Sequence, residues 1–430
     1  MNNVSQRLLS GAPDLSRGRV SRRSARLVCL IFAIGMLLSP VGDLLTVRGA
    51  SGNLDNGGRY SLLVRGLTVA GLIVAMLLNG RLRASNWRIA LLAVIAIGAA
   101  GVNLALGGMS VPEFAAQTVF ILKVFSFFIY LAALSGLNER QLALLERFVV
   151  AALFVYAAAI IAGALFSIEA FRSYQDDTQI RSGYKGIVYA QNEASALMVA
   201  GLAYVYSRVL RFGWRPLDGV LVFCVLCASL LVGTKAAAIG ACAVCVAYCY
   251  SRHSVMGATV RAGIGIALIA GAAATAYLTL PSIADAVDLS IRYFLYQYDN
   301  MTSANGLLSI VLSGRDLKFE QVAGEIERLD YLPLLTGGFP VVRYLVEIDV
   351  PDLALCLGVP VFVFYLRALK RGFVVERRGR VARFGTLFLV VLLLVAFTAG
   401  HALNSAVVSP FLAVLATIVQ RGEEPGTEGE

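Results

Sequence analysis

Five short segments place cations, carboxylates, an asparagine and a histidine inside or beside long apolar runs of this 430-residue chain. Guanidinium and ammonium groups bind anions, and carboxylates and imidazoles accept protons, so these residues could together bind an anionic substrate and move a proton. An ionisable group at membrane depth costs about 2.5–3.5 kcal/mol and generally faces a polar cavity or another charge. The candidate residues are Arg181, Lys185, Asn192, Lys235, Arg315, Lys318, Glu347, Asp349, Asp352 and His401.

A purely structural role is the alternative for each of these residues. Arg181 and Lys185 suit snorkelling side chains at a helix end, and Lys235 suits a turn at the membrane interface. Glu347 and its acidic neighbours suit a solvated loop, and His401 suits a hydrogen-bonded packing residue. Taken one at a time, the residues therefore do not identify a site.

The elements that carry these residues are predicted by composition. Hydrophobic residues make up 58% of the chain and charged residues 15%, whereas soluble domains are about 25% charged. About 20 consecutive apolar residues suffice to cross a bilayer as a helix, and the chain contains many such runs. A large soluble helical core is the poorer alternative, because several helices would have no polar face to present to water. The fold class predicted is all-α, a polytopic protein whose first partner is the lipid bilayer.

The apolar runs predict about 12 transmembrane helices and one large extracytoplasmic loop that carries short helices. The organisation predicted is a basic cytoplasmic tail at 1–26, helices 1–9 in 27–280, the loop at 281–350, helices 10–12 in 351–420, and a cytoplasmic tail at 421–430. The predicted spans are 27–43, 61–79, 88–107, 115–136, 148–168, 187–207, 217–233, 236–251, 259–280, 351–369, 384–400 and 402–420.

The distribution of basic residues predicts the orientation. Most of the 37 lysines and arginines lie in the N-terminal tail and in alternate loops, such as the one with Arg208, Arg211 and Arg215. Cytoplasmic loops carry such an excess, so both termini are predicted to be cytoplasmic. The net charge of +10 is thereby explained by topology, and no nucleic-acid partner is predicted. All five polar segments then fall on the extracytoplasmic side, although they were not used to set the orientation.

The large loop is predicted to contain a helix over about 314–329 that lies on or near the outer membrane surface. Ser313 and Asp316 have the spacing of a capping box, and Phe319, Val322 and Ile326 form an apolar stripe behind them.

Cysteine and histidine usage predicts neither a disulfide framework nor a metal site. The seven cysteines lie in apolar segments, without the spacing of a zinc site. Two histidines, His253 and His401, are too few for a metal centre built from histidine.

Four segments together resemble a known family. They are "RSGYKGIVYAQNEAS" (181–195), "LVGTKAAAIG" (231–240), "LSGRDLKFEQVAGEI" (312–326) and "VEIDVPDLALCLG" (346–358). In order and in placement around a large outer loop they resemble the O-antigen ligase and polysaccharide polymerase family of bacterial inner membranes. The resemblance covers about 180–370. It implies a GT-C-like glycosyltransferase architecture and metal-independent, cofactor-free glycosyl transfer from a glycan carried on undecaprenyl diphosphate to a glycan acceptor, with a chain-length regulator as an optional partner.

The resemblance also implies roles for particular residues. Arg181, Lys235 and Arg315 match the cations that bind the diphosphate, with Lys185 second. Lysine at 235 keeps the charge but loses the bidentate geometry of the arginine found in many relatives. In the same way, Asn192, Lys318 and Asp352 are expected to contact substrate.

The acidic segment bears on the choice between polymerase and ligase. The ligases carry a histidine in the outer loop near the segment that here reads "VEIDVPD" (346–352), and this chain has none there. That difference favours a polymerase with Glu347 or Asp349 as the acceptor-side base, while His401 could face the same cavity from another loop. The alternatives are a ligase that moves a finished glycan to a lipid or protein acceptor, and a flippase for lipid-linked oligosaccharides.

Overall fold

The computed structural model describes residues 22–50, 59–78, 84–173, 183–279, 312–377 and 379–422, with a few isolated residues between 284 and 295. This part of the chain is helical and contains no β-strand. The helices are α1 Arg22–Ala50, α2 Tyr60–Leu78, α3 Ala84–Ala105, α4 Val111–Ser135, α5 Glu139–Leu165, α6 Gln191–Phe212, α7 Pro216–Leu231, α8 Lys235–Arg252, α9 Val255–Thr279, α10 Arg315–Arg328, α11 Leu332–Thr336, α12 Asp349–Leu357, α13 Val359–Phe373, α14 Arg380–Thr398 and α15 Ser409–Arg421.

Seven of the described helices are long and apolar enough to cross a membrane, namely α1 to α5, α9 and α14. The shortest of them has 19 residues, and at 1.5 Å per residue this length nearly matches a hydrocarbon core of about 30 Å. The chain is therefore an all-helical, membrane-embedded protein, as predicted. The apolar helices α7 and α15 are shorter, with 16 and 13 residues. The figure of 12 spans stays a prediction.

The predicted span 351–369 is not one continuous helix. It divides at Gly358 into α12 and α13. Gly358 has a φ of +77°, and a Cβ atom there would lie 2.7 Å from the backbone nitrogen of Gly337. Only glycine readily accepts both this backbone conformation and this close approach. Gly358 therefore determines where the helix breaks.

The predicted span 402–420 is helical only from Ser409 onward. Residues 399–408 form a loop instead, which we call the 399–408 loop. Three of its backbone N–H groups, those of residues 401 to 403, donate to the carboxylate of Asp349. The Asp349 carboxylate thus holds the beginning of this loop, and α15 begins only at Ser409.

The helix predicted over 314–329 is confirmed as α10, but the predicted capping box is wrong. Gly314 precedes the helix with a φ of +78°, and no side chain caps its first turn. Val322 and Ile326 are buried, as the apolar stripe requires, while Phe319 is 46% exposed.

Helices α6 and α15 lie at the centre of the bundle. Every residue of α6 from Glu193 to Arg211 is buried, and so is every residue of α15 from Ser409 to Val419. Around them, aromatic rings join α4 to α13, with the Phe128 and Tyr365 rings 5.4 Å apart. The first turn of α6 and the loop before α15 contact each other at the centre of the bundle, where Ser405 donates to Glu193.

Two ends of the bundle can be distinguished by their contacts. At one end, which we call the ionic end, Glu139 pairs with Arg211 at 2.5 Å and with Arg421 at 3.0 Å. At the other, which we call the loop end, residues 183–190, 232–234, 312–348 and 399–408 gather. The sequence predicts that the loop end is extracytoplasmic.

A labelling experiment tests that orientation. A cysteine replacing the exposed Asp330, at the loop end, is expected to react with a membrane-impermeant maleimide in intact spheroplasts. A cysteine replacing the exposed Glu376, between α13 and α14, is expected to react only after lysis. The unsubstituted chain gives the background from the seven native cysteines, and the reverse pattern would invert the topology.

Candidate functional site

The loops of the loop end are attached directly to one another and to helix ends. Tyr184 N donates to Leu231 O at 2.8 Å, which joins the loop before α6 to the end of α7. Asn103 Nδ2 donates to Gly338 O at 2.8 Å. Arg343 donates two hydrogen bonds of 2.6 Å to Glu113 at the start of α4. The first of these bonds joins the segment with Lys185 to the turn that precedes Lys235. Ser405 joins the 399–408 loop to Glu193 of α6. Residues 346–352 contact that loop through Asp349 and contact α10 through Glu347.

Glu347 lies between two cations of α10, Arg315 and Lys318. Its Oε1 accepts from Lys318 Nζ at 2.6 Å, and its Oε2 lies 3.7 Å from Arg315 Nε. Arg315 Nη1 also donates to the carbonyl of Thr398 at 3.4 Å. Among the described residues, the buried Arg315 Nε has no hydrogen-bond partner, so its interaction with Glu347 is electrostatic.

The 399–408 loop touches this cluster. A Cβ atom on Gly400 would lie 2.8 Å from the carbonyl oxygen of Glu347, so the two backbones are in close contact there. Glu347 and His401 both have positive φ values, of +67° and +73°. The geometry brings His401 into the neighbourhood of Arg315 and Lys318.

Asp349 anchors the 399–408 loop. Its Oδ1 accepts from His401 N at 2.7 Å, and its Oδ2 accepts from Ala402 N and Leu403 N at 2.7 Å each. The residue is fully buried. Both oxygens are engaged by backbone donors, which argues against the base role that the sequence allowed for Asp349.

Asp352 has a similar structural use. Its two oxygens accept from Val346 N at 3.0 Å and from Glu347 N at 3.1 Å. Asp352 is buried, so it shapes the backbone that presents Glu347 and is not placed to contact a substrate itself.

The imidazole of His401 contacts an amide of its own loop. Nδ1 lies 3.0 Å from Asn404 Oδ1, and an amide oxygen only accepts hydrogen bonds. With the amide in this orientation, Nδ1 is the donor of the neutral ring, and Nε2 is left as its acceptor. His401 is partly exposed.

Lys235 begins α8 beside the first turn of α6. Thr234 Oγ1 accepts from Ala237 N at 3.1 Å and caps α8, and the same hydroxyl lies 2.7 Å from Ser195 Oγ. Lys235 is partly buried. The break between the predicted spans 217–233 and 236–251 is thus confirmed, and Ser195 connects it to α6.

Lys185 and Asn192 lie on either side of the start of α6, and both are partly buried. Lys185 Nζ lies 5.7 Å from the centre of the Tyr189 ring. Burial lowers the pKa of Lys185, because a charged ammonium loses hydration there; an anionic ligand would offset that loss. Arg181 lies outside the described residues.

Sequence reasoning missed an ion pair between the first two helices. Arg65 donates to Asp43 Oδ2, and Tyr156 OH donates to the same oxygen at 2.6 Å. Asp43 is fully buried and Arg65 is 6% exposed. Each is an ionisable residue in a predicted span, and that signal was available in the sequence.

A cleft of about 540 Å³ lies between α10, α11 and α12. Its apolar surface comes mainly from α10 and α12, while Glu320 and Glu327 contribute carboxylates and Phe319 and Tyr331 contribute aromatic rings. The remaining lining residues are Ala323, Gly324, Ile326, Leu334, Pro351, Ala354 and Leu355.

Comparison with known proteins leaves the family open. No family model matches the chain, and no curated protein matches it. In the part of the chain that the structure describes, no group of three or more histidine, cysteine, aspartate or glutamate residues could hold a metal ion.

Proposed function

We propose that this protein is a membrane glycosyltransferase that polymerises oligosaccharide repeat units carried on undecaprenyl diphosphate at the outer face of a bacterial inner membrane. The observation that carries the proposal is the cluster of Arg315 and Lys318 around Glu347, in contact with the loop that holds His401. A diphosphate carries more charge than Glu347, so it can replace that carboxylate as the partner of both cations. Lys185 and Lys235 are further cations of the loop end.

The reaction assigned to this cluster is the displacement of a diphosphate at a sugar carbon. An acceptor hydroxyl oxygen forms a bond to the anomeric carbon of the donor, while the bond from that carbon to the diphosphate oxygen breaks. Undecaprenyl diphosphate leaves with the electron pair, and Arg315 and Lys318 stabilise the negative charge that develops on it. The hydroxyl proton passes to Nε2 of His401, which replaces Glu347 and Asp349 as our preferred base.

The cleft beside α10 suits the acceptor glycan. Carboxylates accept hydrogen bonds from sugar hydroxyls, and the rings of Phe319 and Tyr331 offer apolar surface to the C–H faces of a sugar. Lys318 immediately precedes Phe319, so the cleft adjoins the cationic cluster. We assign the cleft to an uncharged sugar, because Glu320 and Glu327 would repel an anionic one.

Reconstitution tests the proposed activity. Purified protein in liposomes, supplied with single repeat units on undecaprenyl diphosphate, is expected to produce longer lipid-linked chains without nucleotide. Cells that lack the protein are expected to accumulate single lipid-linked repeats. Accumulation of long chains would indicate a ligase instead, and unchanged repeats that cross the bilayer in the liposome assay would indicate a flippase.

Substitution of the cleft carboxylates tests the acceptor assignment. Glu320→Gln with Glu327→Gln is expected to raise the KM for the acceptor at least tenfold with kcat within about twofold, because each substitution replaces a hydrogen bond to a charged group, which contributes about 1.5–3 kcal/mol, by one to a neutral group, which contributes about 0.5–1.5 kcal/mol. The control is Glu325→Gln on the same helix, since Glu325 pairs with Arg328 and does not line the cleft. If the double variant and Glu325→Gln have equal KM values for the acceptor, the acceptor does not bind in the cleft.

A further inference from the structure

A network of buried polar side chains connects four helices near the loop end. Asp43 of α1 pairs with Arg65 of α2 and accepts a hydrogen bond from Tyr156 of α5. Glu193, in the first turn of α6, is 8% exposed and lies within electrostatic range of both Asp43 and Arg65. Arg65 is thus paired with the Asp43 carboxylate and is close enough to the Glu193 carboxylate for electrostatic attraction.

Glu193 also contacts the 399–408 loop directly. Ser405 Oγ donates to Glu193 Oε1 at 3.1 Å, and the same hydroxyl oxygen accepts from Val407 N at 3.2 Å and from Val408 N at 3.4 Å. Ser405 thereby fixes the end of the loop, while Asp349 fixes its beginning. The loop with His401 is held at these two points.

The network is not needed merely to fill the bundle. Buried ion pairs are often no more stabilising than well-packed apolar side chains of similar volume, and among the described residues neither Asp43 Oδ1 nor Arg65 Nε has a hydrogen-bond partner. Ionisable groups at membrane depth generally have a role beyond packing. The hydrogen bond from Ser405 to Glu193 indicates that this role is to position the 399–408 loop.

We propose that Arg65 is a positioning residue, which holds Glu193 in place and, through Ser405, sets the geometry of the loop that carries His401. The effect on the loop is independent of the proposed function, whereas the consequence for catalysis rests on it. Asp43 pairs with Arg65, and Tyr156 in turn donates to Asp43.

A second buried charge cluster supplies a matched control. At the ionic end, Arg208 lies 3.7 Å from Glu146 and 3.3 Å from Asp218. Arg208 is 8% exposed, close to the 6% of Arg65, and its guanidinium contacts two carboxylates. Arg208 belongs to the end opposite the 399–408 loop, so its loss should destabilise the protein without moving the loop.

Hydrogen–deuterium exchange in nanodiscs tests the inference without measuring activity. Arg65→Gln is expected to accelerate exchange of the amides of residues 401–403, 407 and 408 at least tenfold, and Arg208→Gln to leave them within about twofold. Arg65→Lys should restore most of the protection, because it keeps the charge near the two carboxylates. Equal exchange in Arg65→Gln and Arg208→Gln would overturn the proposal.

A second variant covers the case in which Arg65→Gln does not fold. Glu193→Gln leaves the Asp43–Arg65 pair and the Ser405 hydroxyl in place and removes the charge that Arg65 attracts, so it is expected to give the same acceleration at 407 and 408; unchanged exchange there contradicts the proposal. In the polymerisation assay, Arg65→Gln should lower kcat at least tenfold with the donor KM within twofold. If exchange responds but the unsubstituted protein does not polymerise, the proposed function fails and the positioning role stands.

Discussion

Replacing Arg315 with alanine is expected to lower kcat for polymer formation about 10²–10³-fold, the effect of removing one preorganised group that stabilises transition-state charge. The guanidinium of Arg315 is mostly buried beside Glu347 and the carbonyl of Thr398, so its position is fixed before substrate arrives. Its contribution should grow as charge develops on the departing diphosphate, and the KM for the donor should change less than kcat.

Arg328→Ala is the control for this substitution. Arg328 ends the same helix, is 77% exposed, and pairs only with Glu325 among the described residues. Its loss is expected to leave polymer length and kcat within about twofold. If Arg315→Ala matches Arg328→Ala in rate at equal protein abundance, Arg315 does not contact the reacting group.

Replacing His401 with glutamine is expected to lower kcat about 10²–10⁴-fold, the usual contribution of a positioned proton-transfer group. Glutamine retains polar atoms of similar reach but cannot take up the proton of the acceptor hydroxyl. The measurement is the rate of chain extension in liposomes with saturating donor and acceptor.

His253→Gln is the matched control, because His253 is the other histidine of the chain and follows α8 at its far end from Lys235. The two variants should differ by at least tenfold in kcat. Full activity in His401→Gln would return the base role to Glu347, which Glu347→Gln would then test.

Hydropathy and charge predicted the helical class and the approximate limits of most helices, because a membrane imposes length and apolarity on each one locally. The amphipathic pattern that predicted α10 is equally local. The break at Gly358 was not predictable, since it depends on contact with Gly337, about twenty residues earlier in the chain.

The roles of the site residues, like the break at Gly358, depend on contacts between residues that are far apart in the sequence. Asp349 was a reasonable candidate base from its sequence neighbourhood alone. Its three N–H donors come from residues more than fifty positions later, so its structural role follows only from tertiary structure. The partnership of Asp43 with Arg65 is likewise tertiary, although each residue was visible as a charge in an apolar run.

The contacts of Arg421 have a consequence for how substrates enter. Arg421 bonds to Glu139 and to the carbonyl of Leu137, while Arg377 bonds to the carbonyl of Arg421. A transporter that opened the bundle between these residues would have to break these bonds in every cycle. Under the proposed function the substrate needs to reach only the loop end, so the end with Arg421 can stay closed throughout.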